Sequence, residues 1–107
     1  MGLLYVGASS STNYFGPNLY AGIIGTEGIT TVRNSVFREC NVGVVTSNST
    51  LIDMTGNKFM NCPYGIQDVN SNIKIEENVF EEIQYTAIQL IGHIAKSVNV
   101  NFNIIDG

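Results

Sequence analysis

Positive charge is scarce in this sequence. Five Lys and Arg stand against nine Asp and Glu in 107 residues, and the formal net charge is −4. The basic residues are also scattered along the chain, whereas nucleic-acid binding depends on clustered Lys and Arg that neutralise phosphates. We therefore expect no nucleic-acid partner.

Long apolar runs are missing as well. No apolar run approaches the ~20 residues that a membrane-spanning helix needs, so we expect no membrane span. The N-terminal residues lack the basic region and the apolar length of a signal peptide, and they are better suited to a first strand. Apolar segments elsewhere are about four residues long, which is too short for helices and suits short strands.

The sequence instead contains an internal repeat. Ile52–Phe59 reads Ile-Asp-Met-Thr-Gly-Asn-Lys-Phe, and Ile73–Phe80 reads Ile-Lys-Ile-Glu-Glu-Asn-Val-Phe. The two segments begin 21 residues apart, and a repeat of about 20–50 residues is typical of a solenoid. Extending it along the chain gives an Asn column and an aromatic column. The Asn column is Asn13, Ser35, Asn57, Asn78 and Asn103, and the aromatic column is Phe15, Phe37, Phe59, Phe80 and Ile105.

Each repeat has a second half that begins with Gly-Ile, Gly-Val or Ala-Ile, and polar turns separate the apolar segments. The repeat predicts stacked parallel strands near 30–32, 52–54, 73–75 and 98–100. In the first coil, Ala8 and Ser10 fall at weak strand positions. The chain is therefore predicted to be a single all-β domain, residues 1–107, of about five coils of 21–25 residues.

This pattern resembles the right-handed parallel β-helix of the pectate-lyase-like families. Leucine-rich repeats are the alternative, but the further apolar position that they require is polar in most coils, and the Val, Ile, Thr, Asn and Gly content disfavours helices. In β-helices the Asn residues stack as an internal ladder. Because Ser35 is too short to span ~4.8 Å as an amide does, we expect it to interrupt the ladder and leave one side of Asn57 to a backbone group or water.

Cys40 and Cys62 occupy the same position on adjacent coils. Their spacing would allow a bridge, but stacked side chains point the same way, which makes the disulfide dihedral hard to reach. We expect two free, buried thiols. Asp53 and Lys74 also share a column, on the outside, and are expected to form a weak surface pair.

Enzymes of the families that the sequence resembles act on one outer face, around the strand that here begins with Gly-Ile. Alternation points Ile23, Val44, Ile66 and Ile88 inward. The outward positions are Ile24, Val45, Gln67 and Gln89. Two aliphatic residues and two amides are poor candidates for catalysis, so we assign no catalytic residue.

His93 is the single histidine and lies in a lengthened turn. The polygalacturonase branch has Gly-His-Gly in a similar place with three Asp nearby, but here only Asp68 is expected close by. We interpret His93 as an exposed loop residue. Glu76-Glu77 and Glu81-Glu82 are read as solvated turns, so no metal site and no cofactor are assigned, and calcium has no support.

Tyrosines give the strongest indication of a ligand. Tyr20, Tyr64 and Tyr85 each lie just before the Gly-Ile strand, and exposed aromatic rings are common platforms for sugars. Amide and carboxylate side chains beside them could supply hydrogen bonds. The candidate carbohydrate-binding residues are Tyr20, Tyr64, Gln67, Asp68, Tyr85, Gln89 and His93.

Three functions follow from the resemblance and these residues. The first is a scaffold or carbohydrate-binding module that contacts polysaccharide. The second is a fragment of a polysaccharide lyase or glycoside hydrolase, and the third is the structural stalk of a trimeric phage tailspike or adhesin. Because neither end carries an obvious polar cap, we expect a segment of a larger protein, with a homo-oligomer partner or covering domains at its ends. The expected location is extracellular or on a cell or virion surface.

Overall fold

The computed structural model describes residues 3–7, 13–93 and 96–106. These residues form fourteen short strands and, within these ranges, no helix. The strands are β1 (Leu3–Val6), β2 (Asn13–Phe15), β3 (Leu19–Thr26), β4 (Ile29–Arg33), β5 (Ser35–Arg38), β6 (Cys40–Ser47), β7 (Leu51–Thr55), β8 (Lys58–Met60), β9 (Tyr64–Val69), β10 (Ile73–Glu76), β11 (Val79–Glu81), β12 (Thr86–Ile91), β13 (Val98–Asn101) and β14 (Ile104–Asp106).

The strands stack into three parallel sheets. Sheet A has the order β1-β4-β7-β10-β13, sheet B β2-β5-β8-β11-β14 and sheet C β3-β6-β9-β12. The molecule is thus a parallel β-solenoid with four complete coils and two strands of a fifth, slightly fewer than the five expected. The predicted strands near 30–32, 52–54, 73–75 and 98–100 are confirmed as β4, β7, β10 and β13. Without helices in the described part of each coil, the leucine-rich alternative is rejected.

The first coil differs from the expected register. Leu4 pairs with Thr30 and Val6 with Val32, which confirms a first strand at the N-terminus. Ala8 and Ser10, which were expected at strand positions, lie outside the described residues. The connection between β1 and β2 is longer than in the next three coils, so counting back by one period from β4 stops short of β1.

Each corner of the solenoid contains a residue with positive φ. This left-handed conformation turns the chain sharply, and Asn and Gly adopt it most readily. Four glutamates and Phe102 also adopt it here. The residues are Gly7, Asn34, Gly56, Glu77 and Phe102 between sheets A and B; Gly16, Asn18, Glu39, Asn61 and Glu82 between sheets B and C; and Glu27, Gly28, Asn48, Asn70 and Gly92 between sheets C and A.

The interior consists of columns of like residues. Four aromatic rings stack with centroid distances of 4.9, 4.7 and 4.8 Å and interplanar angles below 10°. They are Phe15, Phe37, Phe59 and Phe80. The inward positions of sheet C are filled as predicted, since Ile23, Val44 and Ile66 are buried. These columns form one continuous apolar core along the axis.

The Asn ladder runs beside the rings. Asn57 Nδ2 donates to Asn78 Oδ1 at 3.1 Å, and Asn78 Nδ2 donates to Asn103 Oδ1 at 3.1 Å. The same two oxygens accept the backbone N–H groups of Asn57 and Asn78 at 2.9 and 3.0 Å. In addition, the Nδ2 atoms of Asn57 and Asn78 donate to Val32 O and Met54 O in the coil before. Each amide therefore ties three coils together.

Ser35 interrupts this ladder. Asn57 Oδ1 accepts the backbone N–H of Ser35 at 3.1 Å, so a backbone group satisfies that side of the amide, while the Ser35 hydroxyl bonds Arg33 O. Asn13, beyond the break, donates its backbone N–H to Asn34 O. Its Nδ2 is buried and finds no hydrogen-bond partner among the described residues. Asn13 thus does not join the ladder.

Glycines face the ring column. A Cβ on Gly43 would lie 2.5 Å from Phe59 Cδ2 and 2.7 Å from Gly65 O, and Gly22 and Gly65 meet the rings of Phe37 and Phe80 in the same way. In the fourth coil Ala87 takes the place of the glycine, and there the ring column ends in Ile105. Where the facing residue is larger, Ala87 instead of glycine, the residue in the ring column is smaller, Ile105 instead of Phe.

We therefore expect Gly43→Ala to destabilise the protein by about 1–3 kcal/mol through overpacking against Phe59. The double variant Gly43→Ala/Phe59→Ile recreates the pair of the fourth coil. Urea unfolding should give it a smaller loss than the sum of the two single losses. Additive losses would show that the two positions are not in contact.

Both cysteines are free and buried, as predicted. Cys62 Sγ lies 3.4 Å from Met60 O and 3.7 Å from Phe37 O, so it occupies the core as a small apolar residue. Burial raises the pKa of Cys40 to about 11 and also raises the pKa of Cys62. The thiols are therefore protonated at neutral pH and chemically inert.

On the outside of sheet A, Asp53 and Lys74 share a column as expected, but the predicted ion pair between them is wrong, and the Lys74 charge acts on Asp53 only at longer range. Asp53 is paired with Arg33, whose Nη2 lies 2.7 Å from Asp53 Oδ2, and Lys74 is 3.4 Å from Glu76. Desolvation is the largest influence on Asp53 and raises its pKa. Hydrogen bonds from Thr55 and Arg33, together with the positive charges of Arg33 and Lys74, outweigh it, so the pKa of Asp53 is lowered overall. The residue opposite Asp53 in the coil before is Thr31, and Arg33, two residues further on, reaches Asp53 diagonally with its long side chain.

Candidate functional site

A groove of about 350 Å³ runs along the corner between sheets B and C. Three left-handed residues of that corner, Asn18, Glu39 and Asn61, line the groove. Asn41 on β6 and Gln84, in the connection before β12, add further amides. Gln84 Nε2 donates to Asn61 Oδ1 at 2.7 Å, which links the fourth coil to the third. The polar lining of the groove consists of Asn18, Glu39, Asn41, Asn61 and Gln84.

The three predicted tyrosines lie directly after residues of this groove. Leu19, Pro63 and Gln84 line it, and Tyr20, Tyr64 and Tyr85 follow them in the chain. Tyr20 and Tyr85 are 69% and 74% exposed, so their rings are available to a ligand. The rings of Tyr64 and Tyr85 lie 5.5 Å apart at 35°. Tyr20 belongs to the first coil and stands apart from this pair.

The predicted glutamines extend the same face. Gln67 and Gln89 occupy paired outward positions on β9 and β12. Gln67 Nε2 donates to Gln89 Oε1 at 2.8 Å, which orients both amides and leaves Gln67 Oε1 and the Gln89 NH₂ for other partners. Val45 and Ile24 continue this column toward the first coil, as expected from the alternation.

Asp68 was predicted on the same surface, and this placement is wrong. It is fully buried, with 0% exposure, because it points inward next to Thr46. Thr46 Oγ1 donates to Asp68 Oδ1 at 2.6 Å, and His93 Nε2 lies 2.6 Å from Asp68 Oδ2. Both carboxylate oxygens are thus satisfied inside the solenoid, and no sugar can reach them.

His93 was interpreted as an exposed loop residue, and this too is wrong. Its side chain is only 10% exposed, because the lengthened turn after β12 folds it back onto Asp68. The expected proximity of Asp68 and His93 is confirmed. His93 Nδ1 is buried and has no hydrogen-bond partner in the described chain. The seven predicted residues therefore divide into an outer group of two glutamines and three tyrosines and an inner pair.

The structure also adds residues that the sequence reasoning missed. Asn18, Asn41, Asn61 and Gln84 bring amides to the groove, and none of them was singled out from the sequence. A signal existed, because Asn18 and Asn61 lie at the corner between sheets B and C, two or three residues before Tyr20 and Tyr64.

Neither a metal cluster nor a membrane-crossing helix emerges from the described part of the chain. No group of three or more His, Cys, Asp or Glu there could hold a metal ion. Glu76 and Glu81 instead form ion pairs with Lys74 and Lys58. None of the described residues forms a helix with the length and apolar character that crossing a membrane demands.

Comparison with known proteins agrees with this architecture. A family model described as "Right handed beta helix region" matches residues 4–107. Comparison with curated proteins gives no match, and comparison with solved structures gives none.

Proposed function

Because the chain belongs to the right-handed β-helix family, we propose that it is a scaffold that binds polysaccharide at the corner between sheets B and C. The observation that carries this proposal is the pair of Tyr64 and Tyr85, whose rings lie 5.5 Å apart beside an amide-lined groove. Sugar rings have an apolar face and a rim of hydroxyls, and this surface offers aromatic rings for the face and amides for the rim.

The repeat itself supports an extended ligand. Equivalent side chains recur once per coil, about every 4.8 Å along the axis, because neighbouring strands have that spacing. The groove therefore presents at least one amide on each of four coils, and Gln67 and Gln89 add amides on two of them. A polymer of sugars that lies along the axis would meet the same chemistry at successive units. Such a role suits a location outside the cell or on a cell or virion surface.

The lyase or hydrolase alternative has less support. Asp68 and His93 form an acid–base pair in principle, but a general acid or base must reach the substrate, and Asp68 is fully buried. The outward column of sheet C offers Ile24, Val45, Gln67 and Gln89, none of which titrates near neutral pH.

The stalk alternative draws its support from the last coil. Val98, Val100, Ile104 and Ile105 are exposed there, although their counterparts in earlier coils include core residues. Exposed apolar strand edges are usually covered in native assemblies. A scaffold that binds glycan and is covered at this end would combine the two roles.

Tyr85→Ala tests the binding proposal. We expect at least about tenfold weaker binding to whichever polymer of a polysaccharide panel the parent protein binds, measured by isothermal titration calorimetry, because one ring of the platform is lost. The melting temperature should hardly change, since Tyr85 is exposed.

Tyr14→Ala is the matched control. Tyr14 is 75% exposed but lies on β2 in sheet B, away from the paired rings. It should bind as the parent does. Equal losses in the two variants, or no binding of any polymer by the parent, would refute the proposed site.

A further inference from the structure

We infer that the polysaccharide recognised at this groove is uncharged, and that polymers of uronic acids are excluded. This inference rests on the proposed function and adds the class of ligand. Two observations support it: the ionisable groups that line the groove, and the ion pairs that the cations of the chain already form.

The groove lacks a positive charge. The lining that the structure describes contains no Lys, Arg or His, and its one ionisable surface side chain is Glu39. Arg38 is adjacent, but its Nη1 lies 3.6 Å from Glu39 Oε2, so the two charges offset each other. A carboxylate that enters this groove would meet another carboxylate and no unpaired cation.

Three of the other four cations are paired as well, and the fourth, Lys96, lies shortly before β13 and does not line the groove. Arg33 lies 2.7 Å from Asp53, Lys58 3.6 Å from Glu81 and Lys74 3.4 Å from Glu76. The formal net charge of −4 adds a general repulsion of polyanions. A uronic acid polymer would therefore have to break an existing ion pair or lose hydration without a counter-charge.

The groups that do line the groove suit hydroxyls. Each Asn or Gln amide offers two N–H donors and one carbonyl acceptor, and a sugar hydroxyl both donates and accepts. Asn61 Oδ1 accepts from Gln84, which leaves the Asn61 NH₂ and the Gln84 carbonyl oxygen for other partners. A carboxylate can only accept, so it could use the N–H donors of these amides but would face their carbonyl oxygens without a hydrogen bond.

Matched polymers test the inference directly. Galacturonan, mannuronan and glucuronan would each be titrated into the protein beside the carboxyl-reduced neutral form of the same chain. These pairs share linkage and length and differ in the carboxylate. Where a pair is bound, we expect the neutral member to bind at least about tenfold more tightly at low salt, with the difference shrinking as salt screens the repulsion.

The possible results separate the two claims. Tighter binding of the acidic members, or equal binding, would overturn the inference while leaving the proposed function intact. Failure of all six polymers, together with a neutral panel of glucans, mannans, galactans and xylans, would overturn both.

A charge-introducing variant provides an independent check. Asn41 lies in the groove lining and is exposed, so Asn41→Lys would place an unpaired cation there. We expect a severalfold gain in affinity for the acidic polymers, which salt abolishes. Tyr14→Lys, on sheet B, is the control and should give no gain. An equal gain in both variants, or none in Asn41→Lys, would show that the groove is not where the charge of the polymer affects binding.

Discussion

Asn78→Ala should lower the free energy of unfolding by about 3–5 kcal/mol, because several buried groups lose their partners and each costs about 1–3 kcal/mol. The Asn78 amide bonds Met54 O and Asn103 Oδ1 and accepts from both nitrogens of Asn57. Alanine would leave the Asn57 backbone N–H and Met54 O unpaired in the interior. Thermal or urea unfolding measures the loss, with Asn99→Ala on the exposed β13 as a control expected within about 0.5 kcal/mol.

Ser35→Asn is the complementary change in the same column. An amide at position 35 would offer Oδ1 to the buried Nδ2 of Asn13, which has no partner among the described residues. It should therefore be neutral or stabilise the protein by about 1 kcal/mol. A Ser35→Asn protein that melts well below the parent, together with a harmless Asn78→Ala, would contradict the ladder.

Asp68→Ala should cost about 3–5 kcal/mol, because removing one partner of a buried polar cluster leaves the others uncompensated. Thr46 and His93 each hold one oxygen of this carboxylate at 2.6 Å, and His93 Nδ1 is already unpartnered. The variant would also release the turn that His93 ties to the third coil. Hydrogen exchange should therefore increase in β13 and β14 first.

Asp53→Ala is the matched control for Asp68→Ala. Asp53 also has two side-chain partners, Arg33 and Thr55, but it lies on the outer face and the Arg33 side chain is 44% exposed. Its loss should cost under about 1 kcal/mol. If the two aspartates proved equally dispensable, the interior cluster would carry no structural role.

The repeat predicted the fold because its physical causes are local and recur. Alternation in Ile73–Glu76 and its equivalents requires inward and outward faces, and the Asn and Phe columns fix the register between coils. The same alternation that points Gln67 outward also points Asp68 inward. Treating Asp68 as a surface residue was therefore an error that the sequence itself could have prevented.

Other features could not be predicted from the repeat. His93 lies in a turn with no equivalent in earlier coils, so no column indicates where its ring points. The partner of Asp53 could not be chosen from the sequence, because Lys74 in the coil after and Arg33, diagonal to it in the coil before, are both within reach. The corner glutamates, such as Glu39, adopt a left-handed conformation that their intrinsic preference disfavours, and only the geometry of the coil imposes it. The amide groove depends on these corners, and its one signal in the sequence is the Asn that precedes Tyr20 and Tyr64 by two or three residues.

The central claim is that the interior polar residues hold the scaffold together while binding takes place on the outer face. Glycan titration of folded Asp68→Asn and Tyr85→Ala, below the melting temperature of each, tests it most directly. We expect Asp68→Asn to melt lower but to bind as the parent does, and Tyr85→Ala to melt as the parent does but to bind at least about tenfold more weakly. Loss of binding in folded Asp68→Asn, with full binding in Tyr85→Ala, would contradict the claim and place the function at the buried Asp68–His93 pair.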